Sequence, residues 1–196
     1  MQQQQQLDFP EKLKRNFNIV HSLFLMHQRA IVVVCRNKWG TQALGLPCFC
    51  AFILMMLWFV FTRDNLMLAW IAFWLLCLVK RRVESVRLAK SGAMIHSGYD
   101  GWPFDAMKYV KSENTAKLIV EPILTGILGF IAFKGYEYMG WRPTGLPCFL
   151  LWGVATLPFI EMVKQKTSER RTQSMMDGRL EQQEAINDFR DKYGGF

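Results

Sequence analysis

Four long runs of apolar residues constrain the fold of this chain more than any other feature of its sequence. Residues 44–61, 66–79 and 144–160 contain no charged side chain, and residues 118–133 contain one, Glu121. A bilayer core about 30 Å thick requires roughly 20 apolar residues in a helix, and about 17 is near the lower limit. The first and fourth runs reach this limit, and the other two need interfacial residues to complete a span. The pattern predicts an all-α integral membrane protein with four transmembrane helices in two hairpins.

Two other interpretations of the apolar runs remain open. The first is a soluble helical bundle with buried core helices, which is disfavoured because the runs are apolar all round, without a polar stripe at helical spacing. The second keeps residues 44–79 as an interfacial hairpin that dips into the bilayer and returns. Spanning helices are the interpretation that we carry forward.

The distribution of basic residues is an independent test of membrane topology. The chain carries 24 Lys and Arg against 16 Asp and Glu, a net charge of +8. If the N-terminus is cytoplasmic and the four runs cross in succession, the outer loops 62–65 and 134–143 hold only Arg63, Lys134 and Arg142. This asymmetry follows the positive-inside rule. It predicts a multi-pass protein of the bacterial inner membrane with both termini in the cytoplasm, and no direct nucleic-acid binding is needed to explain the basic charge.

The apolar runs divide the chain into five predicted segments. They are a cytoplasmic N-terminal segment (1–43), a first transmembrane hairpin (44–79), a cytoplasmic loop (80–117), a second hairpin (118–160) and a cytoplasmic C-terminal helix or tail (161–196). The N-terminal segment contains apolar residues at helical spacing beside basic ones, which is typical of an amphipathic helix on the inner leaflet. The tail has an imperfect apolar stripe, formed by Met176, Leu180, Ala185, Ile186 and Phe189, which is typical of a helix that docks on a partner or packs on the cytoplasmic loop of the same chain.

The sequence GLPCF occurs twice, at residues 45–49 and 145–149. One interpretation is an inverted-topology duplication of the kind found in transporters. The other is that each copy begins a helix, because Pro is favoured in the first turn of a helix, where its missing N–H costs nothing. Since the similarity stops after the Phe of each copy, we expect two helix starts.

The cysteines and histidines do not form a recognisable metal or redox site. The five cysteines, Cys35, Cys48, Cys50, Cys77 and Cys148, are odd in number and contain no C-x-x-C pair. A soft-metal site built from Cys48, Cys50 and Cys77 is a hypothesis, but buried thiols more often act as small hydrophobes. His21 and His27 have no partner ligands near them and are expected to be interfacial side chains. We therefore expect no metal and no cofactor.

The most distinctive polar stretch is the loop SGAMIHSGYDGWP at residues 91–103. Its glycines and proline indicate turns, and its Ser, His and Asp lack the context of a known catalytic motif. We expect this loop to pack under the bundle or to contact a partner, with no catalytic residue. The candidate contact residues are His96, Tyr99, Asp100, Trp102 and, as a polar anchor at the membrane boundary, Glu121. The nearest expected partners of Glu121 are Lys117 and Lys164.

Three stretches carry a resemblance to a known group of proteins. HSGYDGWP, then AKLIVEP at residues 116–122, then RRTQSMMDGRLEQQ at residues 170–183 resemble small multi-span inner-membrane proteins of conjugative plasmid and type IV secretion loci. The resemblance covers roughly residues 90–190. It implies an inner-membrane component of a DNA-transfer apparatus, with no catalytic residue to carry over.

These observations lead to three hypotheses about function. The first is a non-catalytic integral component of a multiprotein complex in the inner membrane, with the bilayer, other subunits and further copies of the chain as partners. The second is a small oligomeric transporter or pore in which Glu121 faces a water-filled path. The third is a membrane-bound enzyme that uses His96 and Asp100.

Overall fold

Helices are the regular elements of the described part of the chain, residues 11–92 and 97–193, in this computed structural model. The long helices are α1 (Glu11–Cys35), α2 (Leu46–Thr62), α3 (Asn65–Lys90), α5 (Glu121–Tyr138) and α6 (Leu146–Tyr193). A 3₁₀ turn (Ala106–Lys108), the one-turn helix α4 (Glu113–Thr115) and a π-helical turn (Ala116–Val120) lie between α3 and α5. The all-α prediction is therefore confirmed.

The chain divides into two compact units, Met1–Ile160 and Glu161–Phe196. In the second unit the described residues continue α6 to Tyr193 as an exposed helix. Its surface includes the apolar side chains Met175, Met176, Leu180, Ile186 and Phe189.

The core of the first unit is built around the second half of α1. Residues 30–33 of this helix are almost fully buried. They belong to a cluster with Trp39 of the following connection, Met55 of α2, Trp74 of α3 and Phe149 of α6. The indole N–H of Trp74 donates to the backbone carbonyl of Arg29 at 3.2 Å, which fixes α3 against α1. The N-terminal helix is therefore a core element over its second half, and its position on the inner leaflet stays a prediction.

The prediction of four transmembrane helices is corrected. Within the described residues, three helices are long and apolar enough to cross a membrane: Arg15–Cys35, Glu113–Tyr138 and Leu146–Asn187. The helix α2 has 17 residues and is shorter than these. The helix α3 is not among the three because its apolar part ends at Val79, before Lys80, Arg81 and Arg82.

Both GLPCF copies are helix starts, as expected. The helix α2 begins at Leu46 and α6 begins at Leu146, so that Pro47 and Pro147 lie in first turns. The second copy has an additional role. The backbone N–H of Leu146 donates to the Asp64 carboxylate at 2.7 Å, which ties the start of α6 to the connection between α2 and α3.

Glycines allow α5 and α6 to approach closely. A Cβ atom added at Gly126 would lie 3.0 Å from Val154, and one added at Gly129 would lie 3.1 Å from Leu151. These two contacts run in opposite directions along the two helices, so α5 and the first part of α6 pack antiparallel. Small residues permit this approach because they carry little or no side chain between the two backbones.

Candidate functional site

The centre of the candidate site is a buried ion pair between Arg36 and Glu121. The Arg36 side chain is fully buried and that of Glu121 is 5% exposed. Arg36 Nε donates to Glu121 Oε1 at 2.9 Å, and Nη2 donates to Oε2 at 2.5 Å, which is the bidentate geometry that guanidinium and carboxylate groups favour. Arg36 directly follows α1, and Glu121 is the first residue of α5. The pair therefore joins the end of one helix to the start of another.

The expected partners of Glu121 were different residues. Lys117 instead pairs with Glu113, with 2.6 Å between Nζ and Oε1, and Lys164 pairs with Glu161 at 3.7 Å. Each of these pairs joins neighbours on one helical face, three or four residues apart, and so forms without any tertiary contact. Glu121 instead pairs with Arg36, which directly follows α1.

The π-helical turn explains how Glu121 is placed. The backbone N–H of Glu121 donates to the carbonyl of Ala116, five residues earlier, instead of to Lys117. The next residue, Pro122, has no N–H and cannot continue the usual ladder. A π turn inserts one extra residue and rotates the following helix relative to the preceding one. The result is that Glu121 lies on the buried side of α5, together with Thr125, whose hydroxyl donates to the Glu121 carbonyl at 2.8 Å.

A second ion pair involves Arg29 of α1, seven residues before Arg36. Arg29, which is 5% exposed, pairs through Nη2 with the carboxylate of Asp100. Asp100 belongs to residues 97–103, which we call the central loop. The Arg29 guanidinium also lies 5.0 Å from the centre of the Trp39 ring, within the range of a cation–π interaction. The indole N–H of Trp39 donates to the Arg36 carbonyl at 2.9 Å. Two of the Arg29 donors, Nε and Nη1, are buried without a hydrogen-bond partner among the described residues.

The backbone of the central loop pairs with the connection that follows α1. Asn37 and Trp102 exchange both N–H···O bonds, at 3.0 and 2.6 Å, as an isolated antiparallel bridge. Gly40 N–H donates to the Tyr99 carbonyl at 2.9 Å, which extends the pairing. Gly101 has φ +80°, and a Cβ there would lie 2.7 Å from the Trp39 ring, so only glycine fits without strain.

Tyr99 connects this loop to the turn that leads into α5. Its hydroxyl donates to Glu113 Oε1 at 2.7 Å, and Lys117 Nζ lies 4.9 Å from the centre of its ring. Burial raises the pKa of the Tyr99 hydroxyl above its usual range, and the hydrogen bond to the Glu113 carboxylate raises it further. Tyr99 is therefore a neutral hydrogen-bond donor in this position.

Four of the five predicted contact residues meet in one region of the protein. Tyr99, Asp100 and Trp102 are half-buried and Glu121 is buried, and each contacts other parts of the same chain. His96 lies outside the described residues. The described residues 97–103 of the loop thus pack on the bundle, which is one of the two roles expected for the loop. Its contact with a partner protein stays a prediction.

Sequence reasoning missed Arg29, Arg36 and Trp39. A signal was present, because Arg29 and Arg36 are seven residues apart in an otherwise apolar stretch, and residues at this spacing share one helical face. Their acidic partners are 71 and 85 residues away, where no local pattern reaches.

His27 is a buried packing residue and not the interfacial side chain that we expected. Its Nδ1 lies 2.8 Å from the Thr156 hydroxyl, and its Nε2 lies 3.0 Å from the Phe149 carbonyl. Because a carbonyl only accepts, Nε2 carries the proton and Nδ1 accepts from Thr156. Among the described residues, no group of three or more His, Cys, Asp or Glu side chains could hold a metal ion.

A further polar contact joins the two helical hairpins. The Tyr136 hydroxyl lies 2.6 Å from both oxygens of the Asp64 carboxylate, which also accepts from the backbone N–H of Leu66 and of Leu146. One carboxylate thus joins α3, α5 and α6. The same carboxylate caps the start of α3 through the Leu66 N–H.

The two ion pairs hold separate parts of the chain together. Their cations and carboxylates are directed at each other across the contact between the loop and the bundle, with the Arg36–Glu121 pair out of reach of solvent. We call the set Arg29, Arg36, Trp39, Asp100 and Glu121 the ion-pair clamp. No protein-family model, curated protein or solved structure matches this chain.

Proposed function

We propose that the protein is a non-catalytic subunit of a membrane protein complex. The observation that carries the proposal is the ion-pair clamp. It uses the charged residues of the candidate site to hold the central loop in a fixed shape on the bundle, as a scaffold surface requires. Ion pairs that are buried and directed at each other are poorly placed to act as acids, bases or nucleophiles on a substrate.

The exposed surface of α5 supports the membrane part of the proposal. Its outward side chains are large and apolar, and include Ile123, Ile127, Phe130 and Ile131, each more than half exposed. A contiguous apolar surface of this kind needs lipid or another protein to cover it. Alkaline carbonate extraction of membranes is the direct check, since a membrane-embedded chain stays in the pellet.

The inner membrane is the membrane that we propose, with the Glu121 end of α5 facing the cytosol. The opposite end of the α5–α6 pair carries few basic residues, and Tyr136 and Trp141 pack together there, with 5.8 Å between ring centres. Both ends of α1 contact residues near the cytosolic end, because Phe17 packs on Phe159 and Arg36 binds Glu121. This arrangement favours both termini in the cytosol, although α1 is long enough to span.

The apparatus that we propose is a conjugative DNA-transfer or type IV secretion system. The support is the sequence resemblance over the central loop, the start of α5 and the C-terminal helix. Neighbouring genes for transfer ATPases or relaxases would favour this assignment, and their absence from every locus that encodes the chain would count against it.

The C-terminal helix is the surface that we expect partners to bind. Its exposed residues Met175, Met176, Leu180 and Ile186 fall within about 140° of the helical wheel, at 100° per residue. The test is affinity purification in a mild detergent, followed by mass spectrometry of the co-purified proteins. The double variant Met176→Glu with Leu180→Glu should lose specific partners that the wild type retains.

The matched control is Thr167→Glu with Ser174→Glu. It adds the same two charges on the opposite face of the same helix, where both positions are exposed. Equal recovery of partners with both double variants would contradict the proposed docking face. Recovery of no specific partner by the wild type in several detergents would contradict the subunit role itself.

A further inference from the structure

A cavity away from the ion-pair clamp lies where the connection before α2 meets α3. It has a volume of about 370 Å³ and is lined by Leu44, Gly45, Leu78, Val79, Arg82 and Val83. Arg82 is the only charged residue in this lining. Val79 is 63% exposed and Val83 is 46% exposed, so the cavity opens on the outer surface of α3. We call it the α3 groove.

The position of the α3 groove along the helix indicates its surroundings. From Leu66 to Val79 the helix is uncharged, and its exposed side chains, such as Phe73 and Leu76, are apolar. Lys80, Arg81 and Arg82 follow directly. In a membrane protein, the level at which an apolar surface changes to a basic one is the level of the lipid headgroups. The groove lies across this boundary.

Arg82 is oriented in the groove without being neutralised there. Its Nη1 donates to the backbone carbonyl of Thr41, which holds the side chain toward the connection. The nearby acid on α3, Glu84, is already bound by Arg81 Nη1 at 3.3 Å and by the Lys38 N–H at 3.4 Å. No acidic side chain among the described residues pairs with Arg82. The groove therefore offers a fixed positive charge beside an apolar slot.

We propose that the α3 groove binds one anionic phospholipid, with its phosphate at Arg82 and an acyl chain along Leu78 and Val79. The apolar lining suits the chain, and the uncompensated guanidinium suits the phosphate, with which it forms charge-assisted hydrogen bonds. A zwitterionic headgroup of the same size brings an added positive charge to the same place and binds less well. The inference depends on insertion in a membrane, but not on any protein partner.

The test uses the purified full-length chain in detergent, titrated separately with dioleoylphosphatidylglycerol and dioleoylphosphatidylcholine. These two lipids have the same acyl chains and differ in headgroup charge. Native mass spectrometry counts the bound lipids. We expect one phosphatidylglycerol to bind more tightly than phosphatidylcholine. Arg82→Gln should lower the phosphatidylglycerol affinity about fivefold, the effect of one basic residue near an anionic lipid.

Two matched variants separate the groove from the general positive field of the protein. Arg87→Gln removes the same charge from an exposed position of α3 outside the groove, and should change the affinity by less than twofold. Val79→Trp fills the slot and should weaken both lipids while leaving every charge in place. Where Arg82→Gln yields no folded protein, the Val79→Trp result decides.

Three results would overturn the proposal. Equal losses with Arg82→Gln and Arg87→Gln would mean that a diffuse field attracts the lipid. Undiminished binding to Val79→Trp would exclude the slot. Displacement of phosphatidylglycerol by millimolar inorganic phosphate would identify a site for free anions instead of a lipid site.

Discussion

Arg36 and Glu121 are 85 residues apart in the chain and form a bidentate ion pair that is almost completely buried. The pair fixes the start of α5 to the end of α1. The central loop, through Asp100 and Trp102, adds a second set of contacts to the same connection. The shape of the loop therefore depends on contacts made by residues that are distant in sequence.

Asp100 should be required for the folded loop. In Asp100→Asn, Arg29 keeps its buried charge and loses its only carboxylate among the described residues, which costs about 3 kcal/mol. For a chain of this size that corresponds to a fall in melting temperature of roughly 6–12 °C. Thermal unfolding in detergent measures it.

The control for Asp100 is Asp105→Asn. The Asp105–Lys108 pair is more than half exposed at both side chains, so its loss should leave the melting temperature almost unchanged. Similar melting temperatures for the Asp100 and Asp105 variants would show that the Arg29–Asp100 contact does not stabilise the fold.

Gly101 should tolerate substitution less well than Gly92. Both glycines have a positive φ, +80° and +75°, so alanine brings backbone strain at either position. Of the two, only Gly101 would bring the added Cβ against another described residue, the Trp39 ring, because no described residue lies within 4 Å of a Cβ at Gly92. Limited proteolysis of Gly101→Ala and Gly92→Ala should show faster cleavage near the loop in the former. Equal rates would contradict the packing of the loop on Trp39.

Asp64 should matter more than any one of its partners. Asp64→Ala removes an acceptor from the Tyr136 hydroxyl and from the backbone N–H of Leu66 and Leu146 together. The loss of a cap and two charge-assisted bonds should lower the free energy of unfolding by about 2–4 kcal/mol. Tyr136→Phe removes one of these bonds and should cost about 1 kcal/mol. An effect of Tyr136→Phe as large as that of Asp64→Ala would show that the carboxylate does not join the hairpins.

The raised pKa of Tyr99 should appear as a pH dependence of stability. The folded chain keeps the hydroxyl proton at a pH where the unfolded chain, with an ordinary tyrosine pKa of about 10, releases it. The contribution of the Tyr99 hydroxyl to the free energy of unfolding is therefore complete below about pH 10 and is lost as the pH rises above that value. Thermal unfolding between pH 8 and pH 11 should show a steeper loss for the wild type than for Tyr99→Phe. Parallel curves would mean that Tyr99 is not held neutral by Glu113.

The sequence predicts well those features that depend on neighbouring residues. The two helix starts at the GLPCF copies follow from local rules, and the structure agrees. The resemblance to conjugation proteins and the partner role of the loop have no such local test and stay proposals.

Features that depend on distant residues were predicted poorly. Periodicity places apolar residues on one face of α1, but it does not reveal that Gln28 and Arg29 are buried among other helices. The partner of Glu121 was sought among nearby lysines because distance along the chain was the only guide. The candidate spans differ from the predicted ones for two reasons. The helix α1 is long enough to be a candidate once its flanking residues are included. The helix α3 is not a candidate because its apolar part ends at Val79.

The central claim is that the Arg36–Glu121 pair clamps the loop and α5 to α1, and a double-mutant cycle tests it most directly. Glu121→Gln and Arg36→Met should each lower the free energy of unfolding, by about 3–5 kcal/mol, because each removes the opposite charge from the remaining buried member of the pair. The double variant, Arg36→Met with Glu121→Gln, removes both charges and should be more stable than Glu121→Gln. A double variant whose loss equals the sum of the two single losses would contradict the clamp.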